Sequence, residues 1–64
     1  MQKEKVFLKL SEVIKRTGKS RSAIYLGMKA GTFPSSVPIG ARAVAWVSSD
    51  IDAWQDSCIA AAVN

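Results

Sequence analysis

Three adjacent residues, Gly18-Lys19-Ser20, constrain this chain more than any other feature. A glycine just past a helix accepts the left-handed backbone that ends it without a Cβ clash. A serine is among the best residues for starting one, because its hydroxyl accepts an otherwise unpaired N–H of the first turn. With only Lys19 between the stop and the start, the chain is expected to make two helices joined by a turn of about three residues, the helix-turn-helix pattern. Upstream, Val6-Phe7-Leu8-Lys9-Leu10 leads into Ser11, read as the N-cap of the first helix with Glu12 in its first turn. Leu10, Val13 and Ile14 then form an apolar stripe at i, i+3 and i+4, and Lys15 and Arg16 suit the helix C-terminus.

The second helix is expected from about Arg21 to Ala30, closed by Gly31. At about 100° per residue, Arg21, Tyr25, Lys29 and Ser22 fall at about 0°, 40°, 80° and 100° and share one face. Ala30, Ala23, Gly27, Ile24 and Met28 fall between about 180° and 340°, a small and apolar face suited to packing inward. Gly27 in mid-helix costs about 1 kcal/mol relative to alanine, which close helix packing would explain.

Thr32-Phe33-Pro34-Ser35-Ser36 ends helical structure. Val37-Pro38-Ile39 and Val44-Ala45-Trp46-Val47 then flank Gly40-Ala41-Arg42-Ala43, the signature of a hairpin with one charge, Arg42, at its tip. Pro38 lacks an N–H, so its strand belongs at an edge. Ser48 or Ser49 is expected to cap a last helix, with Asp50 and Asp52 in its first turn and Ile51, Trp54, Cys58 and Ala61 forming a stripe. Phe7, Leu10, Val13, Ile14, Ile24, Phe33, Trp46, Ile51 and Trp54 are the expected core. No repeat or linker interrupts the sequence, so residues 1–64 read as one domain, with 1–5 a loose, charged start. The fold class is mainly α with a small β-hairpin, in the order helix, turn, helix, hairpin, C-terminal helix.

A 64-residue chain hides only about 60% of the surface it would expose unfolded, so the margin of stability is thin. One cysteine and no histidine offer neither an intrachain disulfide nor a Cys/His zinc site. Five carboxylates without histidine leave few ways to build a general acid and base, so no enzyme, cofactor or metal is expected. The apolar runs are too short to span a bilayer, and the expectation is a soluble bacterial protein of the cytoplasm, associated with the nucleoid. Residues 1–47 hold all nine Lys and Arg against Glu4 and Glu12, a local charge of +7, whereas residues 48–64 sum to −3. A basic body with an acidic tail suits either a polyanion-binding surface or a merely soluble cationic protein.

Taken together, Leu10-Ser-Glu-Val13, Thr17-Gly18-x-Ser20, Ser22-x-Ile24-Tyr25, Gly31-x-Phe33-Pro34, Gly40-x-Arg42-Ala43-Val44-x-Trp46 and Trp54 resemble the AlpA family of phage- and plasmid-borne regulators, related to the excisionases and to the MerR-type DNA-binding domain. The resemblance runs from residue 6 to about 58 and departs from the common pattern at Lys19, Ala23 and Ser36. It implies a winged helix-turn-helix whose second helix enters the major groove and whose hairpin wing touches the backbone or minor groove. Carried onto this chain, Ser20, Arg21, Ser22, Tyr25 and Lys29 are the groove-facing set and Arg42 the wing contact.

The side chains suit these roles. Arg21 presents a planar fork to a guanine edge and Lys29 a mobile point charge to a guanine edge or phosphate. Ser22 can donate to phosphate, and Ser20 either does so or serves only as a cap. Tyr25 either packs under the wing with its hydroxyl on phosphate or does neither. Arg42, among small residues, can enter a narrow groove of enhanced negative potential. The function expected is sequence-specific binding of double-stranded DNA by a regulator of a prophage or integrative element, acting as a transcription factor, an excisionase or both. Its partners would be adjacent copies of itself, and an integrase or RNA polymerase. The rival is a noncatalytic protein-interaction module, such as an anti-repressor or integrase partner, using the same basic helix against an acidic protein.

Overall fold

The computed structural model describes residues 6–63, and the expected loose stretch 1–5 lies outside the described residues. The elements run β1 (Phe7–Leu8), α1 (Leu10–Thr17), α2 (Arg21–Ala30), β2 (Val37–Gly40), β3 (Ala43–Val47) and α3 (Ser48–Val63). This is the expected winged helix-turn-helix, mainly α with a hairpin, with one addition: β1 pairs antiparallel with β3, making a three-stranded sheet in the order β1-β3-β2.

The glycine stops act as their position suggests. Gly18 (φ 72°) and Gly31 (φ 79°) both adopt the left-handed conformation. The N–H of Gly18 donates to the Ile14 carbonyl at 2.9 Å, closing α1. Ser20 is the N-cap of α2, its hydroxyl accepting the Ala23 N–H at 3.2 Å. Gly18, Lys19 and Ser20 are thus the whole turn between the helices.

The start of α1 differs from expectation. Lys9, not Ser11, is the N-cap, without a side-chain cap bond, and its carbonyl accepts the N–H groups of Glu12 and Val13 at 2.9 and 3.0 Å. The reason lies in β1, which ends at Leu8 and leaves only Lys9 to turn the chain. The helix therefore begins with Leu10, whose side chain packs on the core, while Ser11 faces solvent. Phe7 is also corrected. It is 59% exposed, and its neighbour Leu8 is buried instead, because Leu8 lies opposite Trp46 on the inner face and successive strand residues point to opposite faces.

The core gathers Leu8, Val13, Ile24, Phe33, Trp46 and Ile51, one residue from each of β1, α1, α2, the α2–β2 connection, β3 and α3. Burying each such side chain contributes about 1.5–3 kcal/mol, so every segment is tied to the centre. Leu10, Ile14, Met28 and Trp54 pack around them. The indole N–H of the fully buried Trp46 donates to the Pro34 carbonyl at 3.0 Å, and the rings of Phe33 and Trp54 meet edge to face at 5.0 Å. Gly27 is explained by close packing, but against the loop that follows its own helix. A Cβ there would stand 2.8 Å from the Phe33 Cβ.

In the hairpin, β2 is the edge strand that Pro38 requires, and Ile39 is an extra residue that shifts the register before Gly40 pairs with Ala43. The tip is consequently shorter than expected, with only Ala41 and Arg42 between the strands. The expected cap role of Ser48 and Ser49 gives way to a helix that includes both. Ser48 instead clamps β1, accepting the Val6 N–H on its hydroxyl at 3.1 Å and donating its own N–H to the Val6 carbonyl at 2.7 Å. The α3 stripe packs only at its start: Ile51 is buried and Trp54 half-buried, while Cys58 and Ala61 are exposed because nothing among the described residues reaches that far along the helix.

Candidate nucleic-acid interface

The candidate site is built on α2, which is held from behind. Ile24 is fully buried and Ala23, Gly27 and Met28 are half-buried, so the face that the helical periodicity assigned to packing does pack. Ala30, at the edge of that arc and in the last residue of the helix, is exposed instead. Opposite, Arg21, Ser22, Tyr25 and Lys29 all face solvent. No acidic residue lies anywhere on α2, so its outward side is uniformly cationic or neutral.

The contacts within this face order two of its side chains. The Arg21 guanidinium lies over the Tyr25 ring, 5.9 Å from its centroid. The Tyr25 ring in turn meets Trp46 edge to face at 6.3 Å, with the planes 68° apart. Tyr25, 39% exposed, therefore leans on β3, the strand that rises into the hairpin, and carries Arg21 on its outer side. Such stacking restricts a long side chain before any ligand arrives. Lys29, one turn further on, is exposed on the same side. Ser20 stands at the mouth of the helix with its hydroxyl bound to the Ala23 N–H. Arg42 occupies the hairpin turn, exposed, on a separate element from the other five.

Two supports for this surface were not foreseen. The Lys19 amine sits over the Trp54 ring, 5.6 Å from its centroid, which ties the turn between α1 and α2 to α3. The side-chain amide of Gln55 donates to the Arg16 carbonyl at 2.9 Å, satisfying one of the carbonyls left free at the end of α1. Both reach across long sequence separations, and spacing along the chain carries no sign of them. One exposed residue of α2 belongs to neither the polar nor the apolar set of the helical periodicity. Leu26, at about 140° on the same construction, is 69% exposed between Ser22 and Ala30. Its absence from the apolar arc was the available signal.

Comparison with known proteins adds a family. Residues 6–59 match the family described as "Prophage CP4-57 regulatory protein (AlpA)". The chain belongs to the AlpA family. Among its relatives, the protein named "Uncharacterized protein ORF88" of Enterobacteria phage P4 is 43% identical over 54 residues, which cover 84% of this chain and 61% of that protein. A second relative, from Escherichia coli strain K12, is 38% identical over 53 residues, 73% of this chain and 76% of the relative, and bears the name "DNA-binding transcriptional activator AlpA". The chain thus spans somewhat less than two thirds of the length of the phage P4 relative. The matched segment includes both helices of the pair, the whole hairpin and most of α3, so the family's shared region coincides with the fold that positions the α2 face.

Proposed function

We propose that this protein is a sequence-specific, double-stranded-DNA-binding transcriptional regulator of a prophage or integrative element, acting without catalysis. The observation that carries the reading is the division of α2: an inner face buried to completion at Ile24, and an outer face of Arg21, Ser22, Tyr25 and Lys29 free of any acid. The name of the E. coli relative supports the same reading. In this mechanism α2 enters the major groove, where Arg21 addresses a guanine edge and Lys29 a phosphate. Ser22 and Tyr25 donate hydroxyls to the backbone, and Arg42 reaches the adjacent minor groove from the hairpin. Ser20 contributes as the cap. Its hydroxyl accepts the Ala23 N–H, leaving the N–H groups of Arg21 and Ser22 at the helix mouth for a phosphate.

A single module of this size covers only about 600–1,000 Å² of protein surface, so useful selectivity requires adjacent copies on repeated sites. In an element that encodes an integrase, the same binding arranges the DNA for excision. Otherwise it presents the site to RNA polymerase. The test is a gel shift at roughly 150 mM salt, where nonspecific phosphate attraction is much weakened. The protein is expected to shift a fragment from upstream of its own gene in preference to random DNA. Arg21→Ala is expected to lose about 1–3 kcal/mol of discrimination, whereas Lys29→Ala weakens binding to all sequences and flattens the salt slope by about 0.9. Equal shifts of cognate and random fragments would defeat the proposal.

A further inference from the structure

We infer that Leu26 is a specificity-determining residue of α2, reading the 5-methyl group of a thymine in the major groove. The inference deepens the DNA-binding reading and rests on it. The exposed arc of α2 runs from Arg21 at about 0° to Ala30 at about 180°, so its centre lies near 90°. Lys29 and Ser22 flank that centre, and Tyr25 at about 40° and Leu26 at about 140° stand at equal angles on either side of it. A groove that receives Tyr25 therefore receives Leu26 as well.

The chemistry of the arc singles Leu26 out. Arg21, Ser22, Tyr25 and Lys29 all carry hydrogen-bond donors, whereas Leu26 carries none. At 69% exposed it is the most exposed of the large hydrophobic side chains among the described residues. Its neighbours one turn away are Ser22, Ala23 and Ala30, all small, and Lys29. It therefore stands clear of the helix surface as an apolar knob. The major-groove edge of DNA presents donors, acceptors and a single kind of apolar group, the thymine methyl. An apolar knob set among donors on a groove-facing helix matches that pattern. A lone exposed leucine would by itself carry no meaning, since such residues are common on soluble surfaces. Its place within the proposed reading face is what gives it one.

The test uses a duplex enriched by the full-length protein from a random-sequence DNA library, in which each thymine is replaced in turn by deoxyuridine, removing only the methyl group. Wild type is expected to lose about threefold to fivefold in affinity at one thymine, the size associated with burying one methyl-sized group. Leu26→Ala is expected to bind the unmodified duplex more weakly by a similar factor and to be indifferent to uracil at that same position. The helix itself tolerates the change, because alanine is the better helix former and the site is exposed. If Leu26→Ala shows the same thymine-to-uracil ratios as wild type, the inference falls while the DNA-binding reading stands. If the variant keeps its affinity for one site and loses only cooperativity between adjacent sites, Leu26 faces a second copy of the chain and the inference again falls. Failure of wild type to enrich any sequence overturns the DNA-binding reading along with it.

Discussion

Gly27→Ala sets two opposing effects against each other at one atom. In an exposed helix the added methyl group would stabilise by about 1 kcal/mol, by relieving the backbone entropy that glycine loses on folding. Here the new Cβ would lie 2.8 Å from the Cβ of Phe33, well inside the separation of about 3.5–4.0 Å at which two carbons attract. Rotating the Phe33 side chain gives no relief, because its Cβ is bonded directly to the backbone and does not move with the ring. Shifting that backbone is opposed as well: the N–H groups of Thr32 and Phe33 both donate to the Gly27 carbonyl, at 2.9 and 3.2 Å. The ring is held edge-on against Trp54 in the core. Overpacking of this kind costs about 1–3 kcal/mol, so a typical cost of about 2 kcal/mol outweighs the gain in propensity. The variant is expected to be less stable by about 1 kcal/mol, lowering Tm by roughly 4–8 °C for a domain of this size. Urea unfolding followed by the fluorescence of Trp46 and Trp54 measures it, with an unchanged m-value expected because the folded state stays as compact. Stability equal to or above the parent would show that helix propensity governs this position and that the contact with Phe33 yields freely.

Further substitutions address the inward residue of β1 and the N-cap of α2. Leu8→Ala is expected to cost about 2–5 kcal/mol and Phe7→Ala less than about 1 kcal/mol, since only Leu8 is inside; similar losses in denaturant titrations would contradict the pairing of Leu8 with Trp46. Ser20→Ala is expected to cost about 1 kcal/mol and Ser20→Gly only a few tenths, as befits an N-cap. Equal melting curves for Ser20→Ala and wild type would remove the cap from the account.

The turn Gly18-Lys19-Ser20, the stop at Gly31, the inward and outward faces of α2 and the hairpin around Arg42 were all legible in the sequence, because each depends on chemistry within a few residues. A left-handed glycine, a serine accepting an N–H three residues on and a period of about 3.6 need no distant partner. Where the reading went astray, a distant partner decided. Two residues cannot announce a strand, and β1 exists only because β3 lies beside it. That pairing put Leu8 inside, turned Phe7 out and moved the N-cap of α1 back from Ser11 to Lys9. The same holds for Lys19 over Trp54 and for Gln55 on the Arg16 carbonyl, which join elements that are far apart along the chain. The α3 stripe was real as a pattern, yet only Ile51 and Trp54 found something to pack on.

The order of the helices, the glycine stops of α1 and α2, and which side of α2 is oily belong to the amino-acid sequence alone, since backbone conformation and side-chain direction there are set locally. Which apolar residues became core, and how Arg21 is steadied through Tyr25 on Trp46, belongs to the tertiary structure. Burial and stacking are properties of pairs of surfaces, and only folding brings those surfaces together.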